Sequence, residues 1–204
     1  MNFIVTAGPT IEKLDNVRRL TNFSTGRTGT EMANFLAGRG HQVTLLVGEQ
    51  ATWSGQRRAQ KVIPFSTTVD LQEKLKAAAK GSVDAVFHMA AVGDFMFGKV
   101  WKRDSEGRME EISSHKFSTR DGTLLAELVP TPKLIGQLPE SFPKSQVVGW
   151  KYEVDGKRED AIVAAQMLLE EAKISAVVAN GPAYGDGFGL VTPTGQRHFA
   201  GTAG

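Results

Sequence analysis

Apolar residues along this chain gather in short continuous runs, separated by stretches in which they recur at helical intervals. Residues 2–6 (NFIVT) form such a run, closed by Gly8-Pro9, and predict a buried strand. Residues 28–39 (TGTEMANFLAGR) have helical spacing and stop at Gly40. A second strand is predicted at 42–47 (QVTLLV), a second helix at 68–80 with Asp70 in its first turn, and a third strand at 84–88 (DAVFH) leading into MAAVGDF. From 95 to 123 charged, aromatic and glycine residues mix without a sustained period, which reads as a functional flap or arm. Beyond it the pattern predicts a short helix at 132–138, a strand at 146–150, a long amphipathic helix at 158–173 and a strand at 175–179 ending in Asn180. A Pro193-Thr194-Gly195 turn between two short runs closes the chain with a small hairpin.

Strands alternating with helices imply right-handed crossovers and an α/β fold, with a mostly parallel sheet covered by helices on both faces. The expected organisation is a single domain over 1–204, carrying a long loop at 8–25 and the arm at about 95–123. Ligands bind such sheets beyond the carboxyl ends of the strands. Here those ends are Ala7-Gly8, Gly48, Met89-Ala90, Trp150 and Asn180, so a nucleotide-sized pocket is expected among them.

Composition narrows the choices. With 41% hydrophobic residues over 204 positions the chain can bury a core without staples. The balance of 24 basic and 22 acidic side chains argues against a nucleic-acid footprint but leaves small anionic ligands open. Zero cysteines exclude disulfides, thiolate zinc sites and a cysteine nucleophile. No apolar run is long enough for a signal peptide or a membrane span, so a cytoplasmic protein is expected.

The candidate chemistry lies in the loops. In Ser24-Thr25-Gly26-Arg27-Thr28-Gly29 two glycines at a helix start let backbone N–H groups approach an anion, with Ser24 and Thr25 as hydroxyl donors. A turn with a helix cap is the plainer reading. The dinucleotide fingerprint is incomplete, because Ser24 stands where its first glycine belongs, although Glu49 occupies roughly the place of a ribose-binding acid. Arg18 and Asn22 lie in the long loop; a guanidinium fork there suits carboxylate or phosphate, or is simply solvated. Small residues in Met89-Ala90-Ala91-Val92-Gly93-Asp94 would let a flat base or ribose lie against the backbone. Asp94 either caps that turn, accepts from ribose hydroxyls or helps hold Mg²⁺. Lys116, after His115 in the arm, is placed to neutralise phosphate charge or only to solubilise, and the same holds for Lys99, Lys102 and Lys133. Trp150 offers a face for base stacking or for core packing.

Together these residues resemble the phosphopantothenate–cysteine ligase family. The likeness rests on segments in family order: TAGPTIEKLDNVRRLTNFSTGRTG, MAAVGDF, HK in the arm, VPTPKLI followed by VVGWKYEVD, and VVAN followed by GFG. It implies a modified Rossmann-like fold, a homodimer with shared active sites, and a ligase of coenzyme A biosynthesis. In that reaction a nucleoside triphosphate, CTP or ATP with Mg²⁺, activates the carboxylate of 4′-phosphopantothenate; cysteine then forms the amide. The resemblance implies that the long loop reaches the neighbouring subunit's site, with Arg18 and Asn22 on phosphopantothenate and the acyl-nucleotide. Ser24, Gly26 and Gly29 would hold the substrate phosphate, Ala90, Ala91 and Asp94 would contact nucleotide and pantothenate portions, and Asn180 the pantothenate. Lys116 would steady the triphosphate, while Pro132, Lys133, Leu134, Ile135 and Trp150 would border the nucleotide. No flavin is expected, since the likeness is to a stand-alone form without the flavin-dependent decarboxylase domain. No nucleic-acid or membrane partner is implied.

The chain departs from the family pattern in places. Lys116-Phe117-Ser118-Thr119 replaces a lysine-rich run, family lysines on the helix before VVAN fall near Leu168 and Ala172, and Trp150 stands where Phe is usual. These departures leave the choice between CTP and ATP open and motivate a second reading, a nucleotide-binding relative with impaired turnover. A third, an NAD(P)-dependent oxidoreductase of the short-chain type, would need Tyr-x-x-x-Lys, but Gly156 and Phe188 follow Tyr152 and Tyr184 at that spacing.

Overall fold

The computed structural model describes residues 1–113, 116–118, 120 and 122–201. In chain order, β1 (Asn2–Ala7) leads into a hairpin of β2 (Ile11–Lys13) and β3 (Arg19–Thr21), then α1 (Arg27–Gly38), β4 (Gln42–Gly48), β5 (Lys61–Phe65), α2 (Thr68–Ala78) and β6 (Ala85–His88). A separate sheet of β7 (Phe95–Arg103), β8 (Met109–Glu111) and β9 (Thr123–Pro130) follows. The chain then forms a 3-10 turn (Ile135–Gln137), α3 (Leu138–Ser141), β10 (Gln146–Tyr152), α4 (Arg158–Ala172), β11 (Ala176–Asn180) and a hairpin of β12 (Phe188–Thr192) and β13 (Gly195–Phe199).

β1 is buried along both faces, and a strand of that kind is stable only inside a covered parallel sheet. It runs parallel to β4 on one side and β6 on the other, within an eight-stranded order β13-β12-β11-β10-β6-β1-β4-β5. Only the last hairpin is antiparallel. Alternation along β1 divides the core. Phe3, Val5 and Ala7 pack with Ala33 and Leu36 of α1, whereas Ile4 belongs to the opposite face with Leu71 and Leu75 of α2 and Ala161, Ala165 and Leu169 of α4. Each of the larger side chains contributes about 1.5–3 kcal/mol by leaving water. The chain leaves β1 toward β4 and β5, then returns to β6 on the other side. That reversal opens a crevice at the carboxyl ends of β1 and β6.

Three segments differ from the expectation. β5 carries Pro64, which reads as a break, but β5 is the edge strand, where a missing N–H costs no ladder bond. The loop at 8–25 is not open coil: β2 and β3 pair as a short hairpin, each strand too brief to show a period. The arm is a three-stranded antiparallel sheet rather than a structureless flap. β7 buries Val100 alone, so no alternation marks it. Among the described residues no helix is long and apolar enough to cross a membrane.

Candidate active site at the carboxyl ends of the strands

A cleft of about 1020 Å³ opens where α1 begins and β6, β10 and β11 end; of the expected strand ends, Ala7-Gly8 and Gly48 do not line it. All of the predicted site residues except Arg18 and Lys116 line it. α1 starts on its floor. Gly26 precedes the helix with φ +76°, a conformation that favours glycine, and a Cβ there would come within 2.9 Å of the Ala51 methyl. Gly29 serves the packing of the helix instead. A Cβ there would lie 2.7 Å from the Ala7 Cβ and 2.9 Å from the Thr6 carbonyl oxygen, so its absence lets α1 press onto β1. The Thr25 hydroxyl accepts from Arg27 N–H at 3.2 Å, and the first intrahelical bond is Thr30 N–H to the Gly26 carbonyl at 3.1 Å. The N–H groups of Thr28 and Gly29 thus have no intrahelical acceptor, and the helix dipole adds to them beside Ser24, an arrangement that suits an anion.

The segment after β6 is fixed from beneath by three residues of the first strand and its exit. The Thr6 hydroxyl accepts from Met89 N–H at 3.0 Å and Ala90 N–H at 2.9 Å, and meets His88 Nδ1 at 3.1 Å. With two donors already on it, the hydroxyl gives its own proton to Nδ1, which places the imidazole proton on Nε2. Burial drives the His88 pKa down to about 4, so the ring is neutral at ordinary pH. Ala91 N–H reaches the Gly8 carbonyl at 3.0 Å and Gly93 N–H the Thr10 hydroxyl at 2.9 Å. These amides are consumed internally, and Ala90 and Ala91 offer a ligand a flat, small-residue surface rather than donors.

On the far wall, the Lys133 ammonium pairs with the Asp94 carboxylate, both largely exposed. A pair so wet contributes little to stability. Leu134 and Ile135 continue this wall, and Met167, Leu168 and Glu171 of α4 line the same cleft. Trp150 and Asn180 close the other end; the Trp150 Nε1 and Asn180 Oδ1 atoms are fully enclosed without a hydrogen-bond partner.

The long loop and the arm meet outside the cleft. Asp15 is buried and accepts from Val17 N–H at 2.8 Å, Arg18 N–H at 2.7 Å, Arg18 Nε at 3.0 Å and Nη2 at 2.7 Å, and Phe117 N–H at 3.2 Å. Arg18 Nη2 also donates to the Phe117 carbonyl at 2.6 Å. Burial alone would raise the Asp15 carboxyl, but the Arg18 guanidinium and the surrounding N–H groups outweigh it and hold the pKa well below the usual carboxylate range. Arg18 is therefore engaged by its own loop, and the clamp fixes Phe117 next to the exposed Lys116. His115 lies outside the described residues. Asn22 does line the cleft, its Nδ2 donating to the Val92 carbonyl at 3.1 Å and, more loosely, to that of Ala91 at 3.4 Å.

Sequence reasoning missed Thr6 and Asp15, and the signals were present: a hydroxyl at the buried end of an apolar run, and an Asx turn at Asp15-Asn16. The α4 contributions, Met167 and Glu171, had no motif to reveal them.

Residues 1–196 match the family model described as the DNA/pantothenate metabolism flavoprotein C-terminal domain. The chain belongs to that family. Within it, the coenzyme A biosynthesis bifunctional protein CoaBC of Thermococcus kodakarensis is 33% identical over 178 residues, covering 87% of this chain and 40% of the relative. The chain spans about two-fifths of the length of the curated relatives it matches. Among solved structures, the DNA/pantothenate metabolism flavoprotein from Streptococcus pneumoniae superposes with a TM-score of 0.83 at 23% identity, covering 98% of this chain and 92% of its own. A Cab2 variant in complex with phosphopantothenate-cysteine has a TM-score of 0.76 at 20% identity, covering 98% and 79%. At these identities the two structures establish the shared fold.

Proposed function

We propose that this member of the family joins 4′-phosphopantothenate to cysteine, using a nucleoside triphosphate, as a step of coenzyme A biosynthesis in the cytoplasm. The observation that carries the reading is the meeting, in one cleft, of an anion-binding helix start, a flat small-residue floor and a lysine-bearing wall. The names of the relatives support the same chemistry. The substrate phosphate takes the first turn of α1, beside Ser24, Gly26 and Gly29. The nucleotide lies across Ala90 and Ala91, with Asp94 near its ribose and Pro132, Lys133, Leu134 and Ile135 along its base and phosphates. Lys133, released from Asp94, neutralises charge as pyrophosphate departs; Lys116, carried by the arm outside the cleft of its own chain, joins from the arm of a second copy.

Each step balances without a protein nucleophile. A carboxylate oxygen of phosphopantothenate attacks the α-phosphorus and pyrophosphate leaves; the cysteine amine then attacks the acyl carbon and expels the nucleoside monophosphate. Positioning and charge neutralisation carry the rate. Mg²⁺ is taken to arrive on the nucleotide phosphates: among the described residues no group of three or more His, Asp or Glu side chains is placed to hold a metal ion. Asp94 offers one carboxylate, which suits a cation that draws its other ligands from water and phosphate.

A homodimer belongs to this reading. Phe23, Val17 and Leu20 are exposed apolar side chains on or beside the β2–β3 hairpin, next to the cleft, and would be covered by a second copy. Asp15 and Phe117 occupy Nε and Nη2 of Arg18, which leaves Nη1 for a contact toward the neighbouring site. The α4 wall, with Leu168, Glu171 and Ala172 facing the cleft in place of cations, favours one rival, a relative that binds nucleotide without turning it over.

The test is isotopic. With ¹⁸O in the phosphopantothenate carboxylate, the mechanism places one labelled oxygen in the nucleoside monophosphate. Consumption of nucleotide with the label absent from the monophosphate refutes acyl-nucleotide chemistry. Binding without consumption establishes the rival.

A further inference from the structure

The carboxyl end of β4 does not reach the cleft, yet the turn that follows it braces the helix start that does. Ala51 N–H closes this turn onto the Gly48 carbonyl at 2.9 Å, and a Cβ on Gly48 would meet the Pro9 carbonyl oxygen at 2.3 Å, so the turn lies flat against the exit of β1. Its Ala51 methyl sits where that exit meets the start of α1. A Cβ on Gly8 would lie 2.8 Å from the Ala51 Cβ, and one on Gly26 2.9 Å from it. Gly8 and Gly26 both have positive φ, +79° and +76°, and both are buried. One methyl is therefore wedged against two bare glycine Cα atoms.

A second contact sets the direction of the peptide before α1. Trp53 N–H donates to the Thr25 carbonyl at 3.0 Å. Across a planar trans peptide the C=O and N–H point in opposite directions, so this bond turns the Gly26 N–H away from the turn. Thr25 and Gly26 line the cleft, and no residue from 48 to 60 does. Further along, the connection to β5 is strapped to the same helix about two turns on. There Asn34 Nδ2 donates to the Gln56 carbonyl at 2.7 Å, and Asn34 Oδ1 accepts from Arg58 N–H at 2.7 Å. The wedge at the helix start and the clamp at Asn34 are thus separate attachments of one connection.

We infer that Ala51 is a positioning residue for the substrate phosphate. Its methyl, wedged between Gly8 and Gly26, sets the height of the first turn of α1 over the end of β1, and the Trp53 amide sets the tilt of the Thr25–Gly26 peptide. The inference rests on the proposed ligase reading, in which the phosphate takes this turn. An anion held by backbone N–H groups binds best where they converge before it arrives, because ordering them on binding subtracts from affinity. Removing the methyl gives residue 51 the wider backbone range of glycine and takes away the stop against which Gly8 and Gly26 rest. Residues 89, 90 and 93 of the cleft floor are held separately, by the Thr6 and Thr10 hydroxyls, so a nucleotide placed there is insensitive to the change.

The experiment is calorimetric titration of the parent, Ala51→Gly and Asn34→Ala with phosphopantothenate, and with Mg-ATP and Mg-CTP, at a temperature where all three are folded, alongside their melting temperatures. Both variants should melt below the parent. Only Ala51→Gly should lose phosphopantothenate affinity, about fivefold, the upper end of what the added backbone freedom of one glycine costs, with nucleotide affinity unchanged in both. A merely structural role would lower the melting temperatures and leave the affinities alone. Unchanged phosphopantothenate affinity in Ala51→Gly, an equal loss of nucleotide affinity, or an equal loss in Asn34→Ala overturns the inference while the ligase reading stands. A parent that binds no phosphopantothenate overturns both.

Discussion

Thr6→Val tests whether the floor of the cleft depends on a single hydroxyl at the end of β1. Valine keeps the volume, so no cavity opens, but three hydrogen bonds disappear: those from Met89 N–H, Ala90 N–H and to His88 Nδ1, at 3.0, 2.9 and 3.1 Å. An amide left without an acceptor in the interior costs about 1–3 kcal/mol. Met89 and Ala90 are half-buried at the cleft edge, where water relieves part of that penalty, so the lower end applies. Two amides and the imidazole then amount to about 3 kcal/mol of lost stability. Urea denaturation reads this as a lower midpoint at unchanged slope. Thr6→Ser, which keeps the hydroxyl and loses a methyl, should cost only about 1 kcal/mol. Nucleotide binding should weaken with Thr6→Val and hold with Thr6→Ser, because residues 89–93 form the surface proposed to carry the nucleotide. A Thr6→Val protein within about 0.5 kcal/mol of the parent would refute the reasoning, since the floor would then be held by the strand ends alone.

Other consequences are equally direct. Gly29→Ala forces a methyl against Ala7 and the Thr6 carbonyl and should destabilise by about 1–3 kcal/mol, whereas Gly38→Ala, with nothing within 4 Å of its new Cβ, should be neutral or stabilising; equal effects in thermal denaturation would remove the packing role of Gly29. For His88 the folded pKa, about 4, lies below the ordinary value of 6.5, so the unfolded chain takes up a proton that the folded chain refuses. Its contribution is complete above about pH 6.5 and is lost as pH falls toward 4, about 3 kcal/mol in all; His88→Gln should flatten the urea midpoint over that window, and an unaltered slope would contradict the assignment. In Asn22→Asp a carboxylate faces the Val92 and Ala91 carbonyls, so the hairpin should lift from the cleft and amide formation should fall more than pyrophosphate release. Lys116→Gln should instead slow pyrophosphate release itself, and parent-like rates in rapid-quench assays would remove both residues from the reaction.

Much of this architecture is legible in residue pattern because parallel strands are buried on both faces and leave unbroken apolar runs. β1, β4 and β11 were readable for that reason, and once they alternate with helices the crevice at their carboxyl ends follows. The elements that escaped are those whose stability comes from elsewhere. β5 is an edge strand broken by Pro64, β2 and β3 are three residues each, and β7 buries Val100 alone. Their pairing is set by what they dock on, which no local window contains. The site behaves similarly. Gly26 and Gly29 were visible as a pair, but their separate roles, a left-handed turn and a helix-to-strand contact, depend on Ala51, Ala7 and Thr6 arriving in space. Arg18 looked like an outward-reaching cation; the Asp15 carboxylate three residues earlier takes its fork and ties it to Phe117, nearly a hundred residues away in sequence.

The measurement that bears most directly on the central claim is pyrophosphate release by the purified protein with Mg²⁺ and cysteine, with and without 4′-phosphopantothenate, using CTP and ATP in parallel. The account predicts release that requires phosphopantothenate, with one nucleotide favoured. Release independent of phosphopantothenate, or none with either nucleotide from folded protein, would contradict it.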